Sequence, residues 1–158
     1  MKEYKVPFGE GEDELLEKKS RFISHIYKIT AAAEANELLA ARKKEYWDAS
    51  AIVYAYVLRD GTMRFSDDGE PQGTAGMPTL EMLRKEEIND VLCITVRYFG
   101  GTKLGAGGLT RAFGKAAKMA LDAAGVAVMQ SHVKVAIDCP YNMLEVIRQR
   151  FETFEATE

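Results

Sequence analysis

The segment from residue 97 to residue 118, RYFGGTKLGAGGLTRAFGKAAK, constrains the fold of this chain more than any other feature. An apolar run at 91–99 ends in two glycines, and a helical pattern begins near Leu109. Six of the thirteen glycines in the chain fall between Gly100 and Gly114. Glycine allows tight turns and close backbone contacts. The segment therefore predicts a strand, a tight loop and a helix in succession.

The same segment contains five cations and no acidic residue. Backbone N–H groups freed by glycine, a helix N-terminus and clustered cations together favour a bound anion. Arg111, Lys115 and Lys118 share one helix face at spacing i, i+4 and i+7. Two interpretations stay open: tight strand-to-helix packing alone, or packing combined with an anion site. The predicted phosphate- or nucleic-acid-binding residues are Arg97, Gly100, Gly101, Lys103, Gly105, Gly107, Gly108, Arg111, Lys115 and Lys118.

Composition narrows the class of protein. The chain has 158 residues, of which 47% are hydrophobic and 28% charged, as in a globular domain. No apolar run reaches the roughly 18 residues that a membrane helix needs, and the charged N-terminus is not a signal peptide, so the cytoplasm is the expected location. The net charge is −3, but residues 91–137 carry six bases and one acid, Asp122. The local sign of charge therefore favours an anionic partner.

Hydrophobic periodicity predicts the secondary structure. Hairpins and helices mix without strict alternation, which favours an α+β fold over a doubly wound sheet. The charged stretch from Glu10 to Lys19 is expected to be mobile. The predicted elements are strands at 20–29, 51–58, 62–65 and 91–99, helices at 31–46, 78–86, 107–124 and 141–154, and a strand-like run at 126–138.

A polar loop at 66–76, SDDGEPQGTAG, holds three acids, Asp67, Asp68 and Glu70. It lacks the Asp-x-Asp-x-Asp-Gly alternation of a calcium loop. Three interpretations stay open: a magnesium ligand, a general acid or base, or a turn in which the carboxylates accept local backbone N–H bonds. The two cysteines, Cys93 and Cys139, form no metal or redox motif.

FSDDGEPQGTAGMPTL at 65–80 and VRYFGGTKLGAGGLTRAFGKA at 96–116 resemble the two signatures of the IMPACT family, whose bacterial members are the YigZ-like proteins. KSRFISHI at 19–26 is similar to the start of that family's domain. The resemblance implies a four-stranded sheet with helices on one side and a left-handed βαβ crossover, as in domain four of elongation factor G. The family-signature loop falls on Ser66, Asp67, Asp68, Gly69, Glu70, Pro71 and Thr74.

The resemblance also implies two domains. Residues 1–131 form the IMPACT-like N-terminal domain, and 132–158 hold one strand and one helix of an incomplete, truncated ferredoxin-like domain. One strand and one helix cannot close such a core. We expect this segment to lean on the first domain, to pair with a neighbouring chain, or to be poorly ordered.

The residues and the resemblance leave three functions open. Eukaryotic IMPACT proteins regulate translation initiation by interfering with activation of a stress kinase, so the resemblance implies a translation-linked regulatory role. The first hypothesis is a non-enzymatic module that binds RNA or a ribosome-associated partner through the glycine loop and the basic helix. The alternatives are a small phosphate-handling or metal-assisted enzyme, and a regulator that docks on a protein. No catalytic residue, metal, cofactor or membrane contact is expected, and the oligomeric state stays open.

Overall fold

The computed structural model describes residues 2–152. Its strands are β1 (Tyr4–Pro7), β2 (Gly11–Glu17), β3 (Ser20–Lys28), β4 (Ala51–Val57), β5 (Met63–Ser66), β6 (Val91–Tyr98) and β7 (Val126–Met129). Its helices are α1 (Ala32–Glu45), α2 (Gly76–Lys85), α3 (Gly105–Ala124) and α4 (Leu144–Phe151), the last preceded by a 3₁₀ turn (Tyr141–Met143). These elements confirm the expected α+β class.

The main sheet has five strands in the order β2-β3-β6-β4-β5, and every neighbouring pair is antiparallel. The longest apolar strand, β6, lies at the centre between β3 and β4. A separate two-stranded ribbon pairs β1 with β7.

Helices cover both faces of this sheet. Val91 and Cys93 of β6 pack with α2 and α3, whereas Leu92 and Ile94 pack with α1. The expectation of a four-stranded sheet with helices on one side is therefore wrong. The strands β4 and β6 are nearly continuous apolar runs, and such strands are buried on both faces. The fifth strand is β2, at the sheet edge.

Two crossover connections span the sheet. β3 and β4 are both antiparallel to β6, so they are parallel to each other, and α1 joins them. β5 and β6 are likewise parallel, and α2 joins them. Rotation of the sheet by 180° about its normal places the strands of the path β3-α1-β4 on those of the path β5-α2-β6. The helices α1 and α2 nevertheless lie on opposite faces of the sheet. The crossovers therefore have opposite hands, and one is left-handed, against the usual preference. The likeness to domain four of elongation factor G stays a prediction.

The stretch expected to be mobile, 10–19, contains the edge strand β2. The side chain of Leu15, in β2, is buried in the core and packs with residues of α3. Gly11 allows α3 to approach closely, because a Cβ at this position would lie 2.4 Å from the backbone nitrogen of Ala124. The outward side chains Glu12 and Glu14 charge the edge, which discourages pairing with another sheet.

The C-terminal segment contains less structure than expected. The predicted strand at 126–138 forms only as β7, and the predicted helix at 141–154 is described as far as residue 152, while 153 and 154 lie outside the described residues. Residues 132–139 and α4 line a groove that includes Ile137, Ile147 and Phe151. Val133 is 86% exposed, so this segment does not bury its apolar side within the described chain. The domain boundary at 131 stays a prediction.

No helix in the part of the chain that the structure describes is both long and apolar enough to span a membrane.

Candidate anion-binding surface

The loop between β6 and α3 packs against the tip of the β2–β3 hairpin. A Cβ at Gly100 would lie 2.1 Å from the carbonyl carbon of Lys19, so only glycine fits there. Gly101 follows with a φ of +88°, a conformation that favours glycine. The predicted tight strand-to-helix turn is therefore present. The contact also places the hairpin tip beside the start of α3.

The hairpin tip carries two lysines in an unusual backbone conformation. Lys18 and Lys19 have φ values of +45° and +67°. Residues other than glycine are held in this region at a cost of about 1–3 kcal/mol each. The sequence lacks the Asn-Gly or Asp-Gly pair that usually marks such a hairpin. No turn signal in the sequence therefore marks these two lysines as neighbours of the glycine loop.

A shallow cavity of about 240 Å³ lies between the hairpin tip and the first turns of α3. Its apolar floor includes Leu15 and Leu104, and its cationic residues are Lys18, Arg111 and Lys115. Such a cavity suits an anionic group attached to an apolar moiety. The full lining is Leu15, Glu17, Lys18, Leu104, Gly108, Arg111, Ala112 and Lys115.

Three predicted cations lie near this cavity without an acidic partner in the described chain. They are Lys103, Arg111 and Lys115, all of them exposed. Lys118 differs, because its Nζ lies 2.8 Å from Asp122 and 3.6 Å from Glu86. The hydrogen bond to Asp122 raises the pKa of Lys118. The basic face of α3 is therefore uncompensated at its N-terminal end and neutralised further along.

Serine side chains already occupy part of the glycine loop's hydrogen-bonding capacity. The N–H of Phe99 donates to Ser50 Oγ at 2.8 Å, and that of Gly100 donates to Ser20 Oγ at 3.2 Å. In contrast, no side chain from the N-cap residue Leu104 caps the start of α3. Gly105 and Gly107, in the first turn of that helix, are exposed. Among the predicted backbone donors, the start of α3 is therefore the better receptor for an anion than the loop at Gly100.

Arg97 is a buried residue of the core rather than a surface cation. Its side chain is 7% exposed, and its Nη1 donates to both carboxylate oxygens of Glu70, at 2.6 and 2.8 Å. Its guanidinium carbon also lies 5.5 Å from the ring centre of Phe22 and 5.6 Å from that of Phe99. The geometry thus gives no support to the prediction that Arg97 contacts a phosphate.

Backbone donors satisfy the two aspartates of the acidic loop, whereas Glu70 is paired with Arg97. Asp67 accepts bonds from the N–H groups of Gly73, Ala75 and Gly76 at the start of α2. Asp68 accepts a bond of 2.7 Å from the N–H of Ile52. This is the local-turn interpretation of the loop. No group of His, Cys, Asp or Glu in residues 2–152 is arranged to hold a metal ion.

The remaining signature residues of this loop also stabilise its own conformation. Ser66 Oγ accepts a bond from the N–H of Asp68 at 3.1 Å, and Thr74 Oγ1 donates to the carbonyl of Pro71. Gly69 has a φ of +82°, which a residue with a side chain rarely adopts. The loop is therefore a rigid turn, and the metal and general acid–base interpretations gain no support from it.

Residues 18–121 match the Impact N-terminal domain. The chain belongs to the IMPACT family. It is 46% identical over 118 residues to the IMPACT family member YvyE of Bacillus subtilis (strain 168), covering 73% of this chain and 54% of that protein. It is 35% identical over 164 residues to an IMPACT family member of Haemophilus influenzae, covering 98% of this chain and 77% of that protein. The chain thus spans about half the length of the Bacillus relative.

A solved structure has the same fold. The crystal structure of a hypothetical protein aligns with a TM-score of 0.76 at 29% identity, covering 97% of this chain and 76% of that one. The recognition of an IMPACT-family, YigZ-like protein from its two signatures is therefore confirmed.

The two IMPACT signatures and a third segment, 19–26, meet at one end of the sheet. The Glu70–Arg97 ion pair joins the acidic loop to β6. Ser20, from the third segment, accepts a bond from Arg97 Nη2 at 3.4 Å and one from the N–H of Gly100. Much of the signature pattern therefore holds this end together, and the solvent-facing cations around it take no part in these contacts.

Proposed function

We propose that this IMPACT-family protein is a translation-linked regulator that binds RNA through a basic surface formed by Lys18, Lys103, Arg111 and Lys115. The observation that carries the proposal is the cavity between the hairpin tip and α3, whose cations have no acidic partner in the described chain. The net charge of −3 does not oppose this, because attraction depends on the local field. The link to translation rests on the resemblance to eukaryotic IMPACT proteins.

The basic surface would act on the RNA backbone. Lysine and arginine neutralise phosphates and release condensed counterions, so binding weakens with salt. The uncapped start of α3, at Gly105 and Gly107, adds backbone donors for one phosphate. These contacts carry no base preference of their own. The proposed binding is therefore electrostatic, and no bond is made or broken.

Titration with RNA at several salt concentrations tests this proposal. The log of the binding constant should fall with the log of salt, with a slope of about −0.7 per phosphate contact for a single strand. The double variant Lys103→Ala, Arg111→Ala should bind more weakly and reduce the magnitude of that slope by about 1.4. Lys118→Ala is a matched control, because Asp122 and Glu86 already neutralise this lysine. The proposal would be contradicted if the affinity for RNA changed neither with salt concentration nor on the double substitution.

The proposed link to translation is tested by sedimentation of the protein with ribosomes in a low-salt gradient. Co-sedimentation that the double variant Lys103→Ala, Arg111→Ala abolishes would support it. A pull-down that recovers polypeptides but no RNA would favour the protein-docking alternative.

A further inference from the structure

Two exposed aromatic rings lie at the end of the sheet that carries the glycine loop. Trp47, in the turn after α1, is 81% exposed, and Phe99, at the start of the loop, is 49% exposed. The two segments are bonded to each other, because Ser50 Oγ accepts from the N–H of Phe99 and the N–H of Ser50 donates to the carbonyl of Arg97 at 2.8 Å. The turn and the loop are therefore adjacent at this end of the sheet.

The ring of Phe99 is fixed from one side. The guanidinium carbon of Arg97 lies 5.6 Å from its centre, and Glu70 holds that guanidinium in place. A ring held in this way and still half exposed offers a prepared apolar surface. Next to Trp47, the hydroxyl of Tyr98 donates to Asp48 Oδ1 at 2.9 Å, which ties the turn to β6.

Lysines flank the two rings. The last turn of α1 contributes two of them directly before Trp47, and the hairpin tip and the loop contribute the others. In the described chain these side chains are exposed and have no acidic partner, whereas Glu14, Glu45 and Glu70 are each paired with an arginine. At this end Glu17 and Asp48 are exposed acids without a cationic partner in the described chain, and Asp67 and Asp68 accept bonds from backbone N–H groups. The flanking lysines are Lys18, Lys19, Lys43, Lys44 and Lys103.

We infer that this end of the sheet binds single-stranded RNA, with unpaired bases stacked on Trp47 and Phe99 and the phosphates held by the flanking lysines. The inference rests on the proposed function and adds the state of the RNA and the residues that contact its bases. Exposed aromatic rings among cations are the usual platform for single strands, because every base has a face that can stack. The surplus of unpaired lysines favours a polyanion over a polypeptide.

The experiment uses the intrinsic fluorescence of Trp47, because this is the one tryptophan of the chain. The full chain is titrated with a uridine oligonucleotide of about ten residues, an abasic oligonucleotide of the same length, and an RNA duplex. We expect the uridine oligonucleotide to quench the fluorescence and to bind most tightly. Trp47→Ala should weaken its binding about 5- to 150-fold, measured by anisotropy, and leave binding of the abasic oligonucleotide unchanged.

Two further variants test whether the loss of affinity comes from the loss of a stacking ring at this surface. Trp47→Phe should recover most of the affinity, since it keeps a ring. Phe8→Ala should change nothing, because Phe8 is 78% exposed but lies near Gly125, at the other end of α3.

The outcomes distinguish the two proposals. If the uridine and abasic oligonucleotides bind equally, with the same salt dependence and no effect of Trp47→Ala, the stacking inference is wrong and the proposed function stands. Equal binding of the duplex also overturns the inference. If none of the three probes binds at low salt, the proposed function itself fails.

Discussion

Replacing Glu70 by alanine should destabilise the IMPACT domain strongly, because it leaves a buried guanidinium without its carboxylate. The side chains of Arg97 and Glu70 are 7% and 9% exposed, and their closest N–O distance is 2.6 Å. Removing one partner of such a buried pair costs about 3–5 kcal/mol. That is a large part of the roughly 5–15 kcal/mol of total stability of a typical domain.

Urea unfolding at pH 7, monitored by circular dichroism, measures this cost as a change in the free energy of unfolding. Thermal melting measures it as a change in melting temperature. With about 2–4 °C per kcal/mol for a chain of this size, the melting temperature should fall by about 6–20 °C. The control is Glu14→Ala, since Glu14 and Arg21 have the same 2.6 Å distance but are 39% and 49% exposed. Breaking that exposed pair should cost less than about 1 kcal/mol.

A double variant, Glu70→Leu with Arg97→Met, separates charge burial from packing. Because it removes both charges, it should regain most of the stability lost in Glu70→Ala. The reasoning is refuted if Glu70→Ala costs no more than Glu14→Ala, or if the double variant is less stable than the single one.

Three further results are expected. Gly100→Ala should destabilise the fold by about 1–3 kcal/mol because its Cβ meets the backbone of the hairpin tip, whereas Gly114→Ala, with open space in mid-helix, should stabilise it by about 0.5–1 kcal/mol; thermal melting of both variants checks this. Burial raises the pKa of the Cys93 thiol to about 12, so a thiol reagent at pH 8 should label Cys139 alone in the native protein, and rapid labelling of Cys93 would contradict this. Burial lowers the pKa of His25, so the unfolded state takes up its proton first, and the free energy of unfolding should fall as the pH drops below about 6.5; urea unfolding at pH 7 and pH 5 should show a smaller loss in His25→Gln.

Local patterns predicted the elements that bury much apolar surface. The helix expected at 31–46 is Ala32–Glu45, and the strand expected at 51–58 is Ala51–Val57. The edge strand β2 was not predicted, because its sequence GEDELLE buries little more than Leu15. Its charged residues therefore show no alternation of apolar and polar positions. The left-handed crossover was implied by the resemblance and by no periodicity in the chain.

The candidate site was predictable only in part. Lys103, Arg111 and Lys115 stand out in the sequence because no acid is interleaved with them. The same criterion did not reveal two ion pairs that only the fold creates. Arg97 pairs with Glu70, 27 residues away in sequence, and Lys118 lies near Glu86. Trp47 gave no signal, because its exposure follows from a turn that only the folded chain defines.

The central position of β6 has a consequence for synthesis of the protein. Both of its neighbours, β3 and β4, precede it in the chain. In the β3–β6 pair, for example, Arg21 lies opposite Tyr98. A nascent chain that ends at residue 90 therefore holds the two outer parts of the sheet without the strand that joins them. Pairing across so long a separation is slow. Until residues 91–98 have left the ribosome, β3 and β4 lack their central partner, and exposed apolar strands of this kind are prone to associate with other chains.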